Sequence, residues 1–188
     1  MAGQHGGMPD LLWDDVKEFF DPDLVGSLPD VRVADTSVEN WQVVLDLVRS
    51  QGWSCEYSED GAAVRLPRAA DMLARGESVD ALLRVRPAPG FLVIFRAYEA
   101  GSIDFDVDLR ELRDQDGVNL LCRLLRAIGR RLGKPVTLTP ESDPFHPVLG
   151  FDPAADCVVL LADSHVSHRG NSHAGPEAGS LIARPRRR

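Results

Sequence analysis

Ile103-Asp-Phe-Asp-Val-Asp-Leu109 alternates apolar and acidic residues without a break, a period of two that suits a β-strand and no helix. In such a strand Ile103, Phe105, Val107 and Leu109 face a core, and Asp104, Asp106 and Asp108 line the opposite face about 6.8 Å apart. A strand of this kind needs a sheet, and the preceding residues supply one. ALLRVR at 81–86, the turn PAPG and FLVIFRAY at 91–98 come immediately before it, so the pattern predicts an antiparallel meander. Its middle member is apolar at successive positions, as expected of a central strand covered on both faces.

Elsewhere the period changes to 3.6. Val118, Leu121, Leu125, Ile128 and Leu132 recur at intervals of three and four and predict a helix over 116–132, with Gly133 as a left-handed stop. Arg123, Arg126, Arg130 and Arg131 gather toward its end, where they suit the helix dipole and are expected to form a solvated face. Thr36-Ser-Val-Glu39 has the form of a capping box opening a helix over 38–51, with Trp41, Val44, Leu45 and Val48 as its buried stripe. A short amphipathic helix is expected to end near Phe20, before Pro22, and RAADMLAR at 68–75 has room for one or two turns.

Four further segments read as strands or hairpins. WSCEY and AAVRL flank SEDG, placing Trp53, Cys55 and Tyr57 on one face. Val31–Val33 is a minimal strand, residues 134–139 another, and HPVLGFD with CVVLL flanks DPAAD as a final hairpin. The expectation is an α+β fold, a curved antiparallel sheet of meander plus hairpins covered by two main helices. Residues 1–163 form a single domain in this reading. Residues 164–188, rich in His, Gly and Arg without apolar periodicity, form a basic tail expected to be disordered.

Charge narrows the partners. The chain carries a net charge of -8, divided into -12 over 1–163 and +4 over 164–188. An acidic body repels phosphates, which argues against nucleic acid or an anionic membrane as the primary partner and favours a basic protein cleft. No apolar run approaches the roughly 20 residues that cross a bilayer. The amino terminus lacks a basic segment followed by an apolar stretch, so a cytoplasmic protein is expected.

Signatures of catalysis are absent. There is no GxSxG, GxxxxGK[ST], GxGxxG after a strand, or HExxH, so the common hydrolase, nucleotide and zinc-protease arrangements are not indicated. Cys55, Cys122 and Cys157 have no metal-ligand spacing and are expected simply to pack. His146, between Phe145 and Pro147, would have to serve almost alone as a base and is read as a surface residue. His165, His168 and His173 in the tail could chelate incidentally but are interrupted by Gly170 and Asn171.

That leaves Asp104, Asp106 and Asp108. Neighbouring carboxylates at their spacing repel by roughly 0.6 kcal/mol in water, a cost that nearby cations such as Arg84, Arg86 or Arg96 would relieve. Three carboxylates in a straight row diverge from one metal octahedron, so no metal or cofactor is expected. A rigid acidic strip suits docking to a cationic cleft. Two other readings stay open: a divalent-metal-dependent enzyme using the same three residues, and a secretion chaperone or scaffold with an apolar groove.

The stretches LWDDVKEFF, GWSCEYSEDG, IDFDVDLREL, LLRAIGRRLGKPV and HPVLGFDPAAD resemble an uncharacterised family of small actinomycete proteins encoded beside large secreted polymorphic toxins. The resemblance spans about residues 11–163. It implies an immunity protein, a compact cytoplasmic inhibitor that binds a cognate toxin and blocks its active site without catalysis of its own. It brings no catalytic residues to carry across.

Overall fold

A computed structural model describes residues 9–21, 23, 26–110, 112–141, 143 and 145–162. The tail at 164–188 with its histidines, and His5, lie outside the described residues.

Nine strands make one open sheet, every pair antiparallel. In chain order they are β1 (Asp30–Ala34), β2 (Ser54–Glu59), β3 (Ala62–Val64), β4 (Ala81–Ala88), β5 (Phe91–Arg96), β6 (Ser102–Val107), β7 (Val136–Thr139), β8 (Leu149–Asp152) and β9 (Cys157–Leu160). Among the described residues four α-helices accompany them: α1 (Trp13–Val16, continued by a 3-10 turn to Phe20), α2 (Val38–Ser50), α3 (Ala69–Leu73) and α4 (Gln115–Leu132). This is the expected α+β class, a curved sheet with two main helices.

The order across the sheet is β3-β2-β4-β5-β6-β1-β7-β8-β9. The β4–β5–β6 meander and both hairpins are as the alternation predicts. Asp60 and Gly61 turn the β2–β3 hairpin with φ of +49° and +79°, the left-handed pair that a two-residue turn requires. Unforeseen is the position of β1, which enters between β6 and β7 and joins the two halves of the sheet.

Local chemistry explains the helix ends. Asp114 caps α4 by accepting from the Gly117 amide at 2.8 Å, and Gly133 closes it at φ +65°, where any side chain would be strained. At α2 the cap is Ser37, whose hydroxyl accepts from the Asn40 amide. The Thr36 hydroxyl instead donates to the Ala100 carbonyl at 2.7 Å, so the capping residue lies one position later than the Thr36–Glu39 pattern suggested. Glu39 still contributes, its carboxylate hydrogen-bonded to Ser37 and its pKa lowered by that bond.

α2 and α4 cover one face. Trp41 of α2 is fully buried and meets Phe95 edge-on with ring centroids 6.4 Å apart, and Phe95 lies 4.6 Å from Phe105. α4 lays Leu121, Leu125 and Ile128 into the same core. The amino-terminal segment is tied across α4, because the Gln115 side chain accepts from the Trp13 amide at 2.8 Å and donates to the Leu11 carbonyl at 3.0 Å.

Among the described residues, neither α2 nor α4 covers the other face. β5 buries Phe91, Val93 and Phe95 but leaves Leu92 and Ile94 half-buried. The sequence expectation that β5 is covered on both sides is therefore corrected. Among the described residues, no helix is long and apolar enough to cross a membrane.

Candidate functional site

The sheet face opposite α2 and α4 places the acidic residues of β6 in a grid fixed by strand register. One row across the sheet reads Arg84, Ile94, Asp106, Asp30, Thr139, and the next Leu82, Arg96, Asp104, Arg32, Thr137. Ile103, Phe105, Val107 and Leu109 are buried in the core as the alternation requires. Asp104, Asp106 and Asp108 are on the opposite side, yet they are not the solvated strip that the sequence suggested.

Asp104 remains the most open, its side chain 38% exposed, with Arg32 Nε at 3.6 Å and the Ser102 hydroxyl donating to it. Asp106 is nearly enclosed; Arg96 donates to its Oδ2 from Nε at 3.0 Å and Nη2 at 2.7 Å. Asp108 lies beyond the end of β6 and is also nearly enclosed, accepting from the Arg110 amide at 3.1 Å, from Nε at 2.9 Å and from Nη2 at 2.5 Å. That guanidinium holds the Asp108 carboxyl below its ordinary range. Each carboxylate thus has a cation beside it, which relieves the repulsion expected of a bare row.

β1 adds what the sequence did not reveal. Asp30 stands directly across from Asp106. Partial burial pushes its pKa up to about 6, reinforced by a hydrogen bond to Asp106 and by the charges of Asp106, Asp104 and Glu141. The sign of the consequence follows from linkage. The folded state holds a proton on Asp30 that the unfolded chain, with a pKa near 3.8, releases, so stability falls as pH rises from about 4 to about 6. Asp30 is solvent-exposed, and screening leaves on the order of 1 kcal/mol of this effect. Asp30→Asn is accordingly expected to stabilise the fold at pH 7 by about 1 kcal/mol and to flatten that decline. Urea melts of both proteins at pH 4, 5, 6 and 7 measure it, and parallel pH profiles would refute the assignment.

Apolar side chains complete the face. Leu82, Leu92 and Ile94 run diagonally from β4 to β5, half-buried, beside the Arg84, Arg86 and Arg96 side chains. Arg84 donates to the Ser58 hydroxyl at 3.1 Å. Arg96 is one of the cations the sequence placed near the row, whereas Arg32 and Asp30 could be anticipated only if strand order were known, and Leu92 and Ile94 were masked by the apolar run around them.

Other candidates are less equipped. Among the described residues no three of His, Cys, Asp or Glu converge as metal ligands, so the row gives no support to a divalent-metal site. The His146 Nδ1 lies 2.9 Å from both Asp143 oxygens on an exposed surface. Cys122 is buried and its thiol pushed up to about 12 by desolvation, but Cys55 is exposed; simple packing describes the former and not the latter.

The arrangement offers recognition chemistry, with an apolar centre, fixed charges of both signs and no assembled nucleophile. Comparison with known proteins yields no matching family model, no matching curated protein and no matching solved structure.

Proposed function

We propose that this chain is a non-enzymatic binding protein, an immunity- or antitoxin-like inhibitor that occludes a cognate toxin with the sheet face opposite α2 and α4. The observation that carries the reading is that Leu82, Leu92 and Ile94 stay only half-buried at the middle of the sheet, ringed by Arg32, Arg84, Arg96, Asp104 and Asp106. Apolar anchors surrounded by charged residues that exclude water are how protein interfaces concentrate their energy. The acidic side of the face, with Asp30, Asp104 and Glu99, suits a basic toxin cleft, in keeping with the net charge of -8.

In this reading inhibition is steric, and the charges set the association rate and register. Asp104 is the contact carboxylate; Asp106 and Asp108, occupied by Arg96 and Arg110, act chiefly by fixing those guanidiniums. The test is to produce the chain together with each toxin domain found encoded in its neighbourhood, and to measure growth protection and complex affinity. Ile94→Glu is expected to weaken binding about thirtyfold or more with little change in melting temperature, and Asp104→Lys to slow association at low salt. Absence of a complex, turnover of a substrate by the chain itself, or indifference to both substitutions would overturn the proposal.

A further inference from the structure

One cleft on the outer surface of α4 is lined by basic residues, against the acidic balance of the whole chain. α4 presents Arg123, Arg126 and Arg130 at intervals of three and four, and the turn from α2 into β2 presents Gln51 and Trp53 across from them, enclosing a cleft of about 390 Å³. No carboxylate lines it, although acidic residues outnumber basic ones by 29 to 21. Leu120, Leu124 and Pro87 give it apolar walls.

The three guanidiniums are in different states. Arg130 is committed to Asp156, with Nε to Oδ1 at 2.5 Å. Arg126 is paired at Nη2 with Asp10, which also accepts from the Val158 amide at 2.8 Å. Its Nε is enclosed and has no hydrogen-bond acceptor, the condition in which a buried donor costs about 1 to 3 kcal/mol. Arg123 is exposed and has no hydrogen-bonding or ion-pair partner among the described residues. The cleft therefore holds more donor capacity than the protein itself uses.

We propose that this cleft binds a nucleoside monophosphate. Guanidinium forks match the oxygens of a phosphate in pairs; Arg123 supplies one free fork, and Arg126 on the same helix face adds a single unused Nε–H, which a small swing away from Asp10 would bring to a phosphate oxygen. The half-buried Trp53 provides the flat apolar surface on which a base stacks, irrespective of sequence. The volume falls within the range of small-ligand sites. The acidic body disfavours a polymer, whose successive phosphates would run onto it, and so favours a single nucleotide over a strand. The cleft is on the other side of the sheet from the face assigned to toxin binding, so either assignment can fail without the other.

Isothermal titration of the full chain with AMP, GMP, CMP and UMP tests the proposal, with adenosine, inorganic phosphate and a peptide ending in two glutamates as comparators. Saturable binding of at least one nucleotide is expected, at least tenfold tighter than adenosine, phosphate or peptide. Arg123→Ala should lose tenfold or more of that affinity with an unchanged melting curve, since the residue is exposed. Quenching of tryptophan emission by the nucleotide should diminish in Trp53→Phe. Absence of saturable binding at millimolar nucleotide, equal affinity of Arg123→Ala, phosphate alone binding as tightly, or the acidic peptide binding best would each overturn the assignment.

Discussion

Trp41→Ala is expected to destabilise the protein by about 4 kcal/mol, the range in which a large buried ring leaves a cavity its surroundings cannot fill. The residue has no solvent exposure. Its indole N–H is shared between the carbonyls of Glu99 and Ser102, both at 3.0 Å, so alanine also strands two acceptors at the β5–β6 connection. Against a total stability of about 5 to 15 kcal/mol, this leaves a protein that melts roughly 10 °C lower or is partly unfolded at room temperature. Trp41→Phe separates the contributions. It keeps a ring against Phe95 and removes only the donor, for an expected loss of about 1 to 2 kcal/mol. Equal losses in the two variants, measured by chemical denaturation, would show that packing of the ring is not the main contribution.

Gly129→Ala has the opposite sign from the one helix propensity assigns. In the interior of α4, alanine is intrinsically favoured over glycine by about 1 kcal/mol. Here a Cβ would stand 2.0 Å from Cδ1 of Phe151 on β8, closer than any atom pair tolerates, and Phe151 is itself buried. Either the ring leaves its rotamer or α4 lifts from the sheet, and overpacking of this kind costs about 1 to 3 kcal/mol. Set against the propensity gain, a net loss of about 1 kcal/mol is expected. Phe151→Leu in the same chain should recover part of it, because the shorter side chain vacates the contact; a double-mutant cycle with no coupling would refute the close approach of α4 to β8.

These variants mark the difference between kinds of information. The placement of α2, α4 and the β4–β5–β6 meander is legible from spacing alone, because a helix face repeats every three or four residues and a strand face every two, whatever they pack against. Gly129 is legible as a helix residue but not as a point of contact, since the Phe151 that forbids a side chain there is 22 positions away. The acidic residues of β6 show the same limit. Their common side of the strand follows from alternation. Of their partners, Arg96 on the preceding strand follows from the meander, but Asp30 and Arg32 arrive on β1, more than 70 residues earlier, and do not.

Sequence by itself determined the main elements, the buried faces of α2, α4 and β6, the stop of α4 and the acidic character of the body, all of which depend on short-range stereochemistry and on counting charge. Only the tertiary structure decided that β1 lies between β6 and β7, that both main helices cover the same sheet face, and that Asp106 and Asp108 are enclosed by arginines. Strand order and coverage are settled by how distant surfaces fit and exclude water, and no periodicity within one segment encodes which surface it will meet.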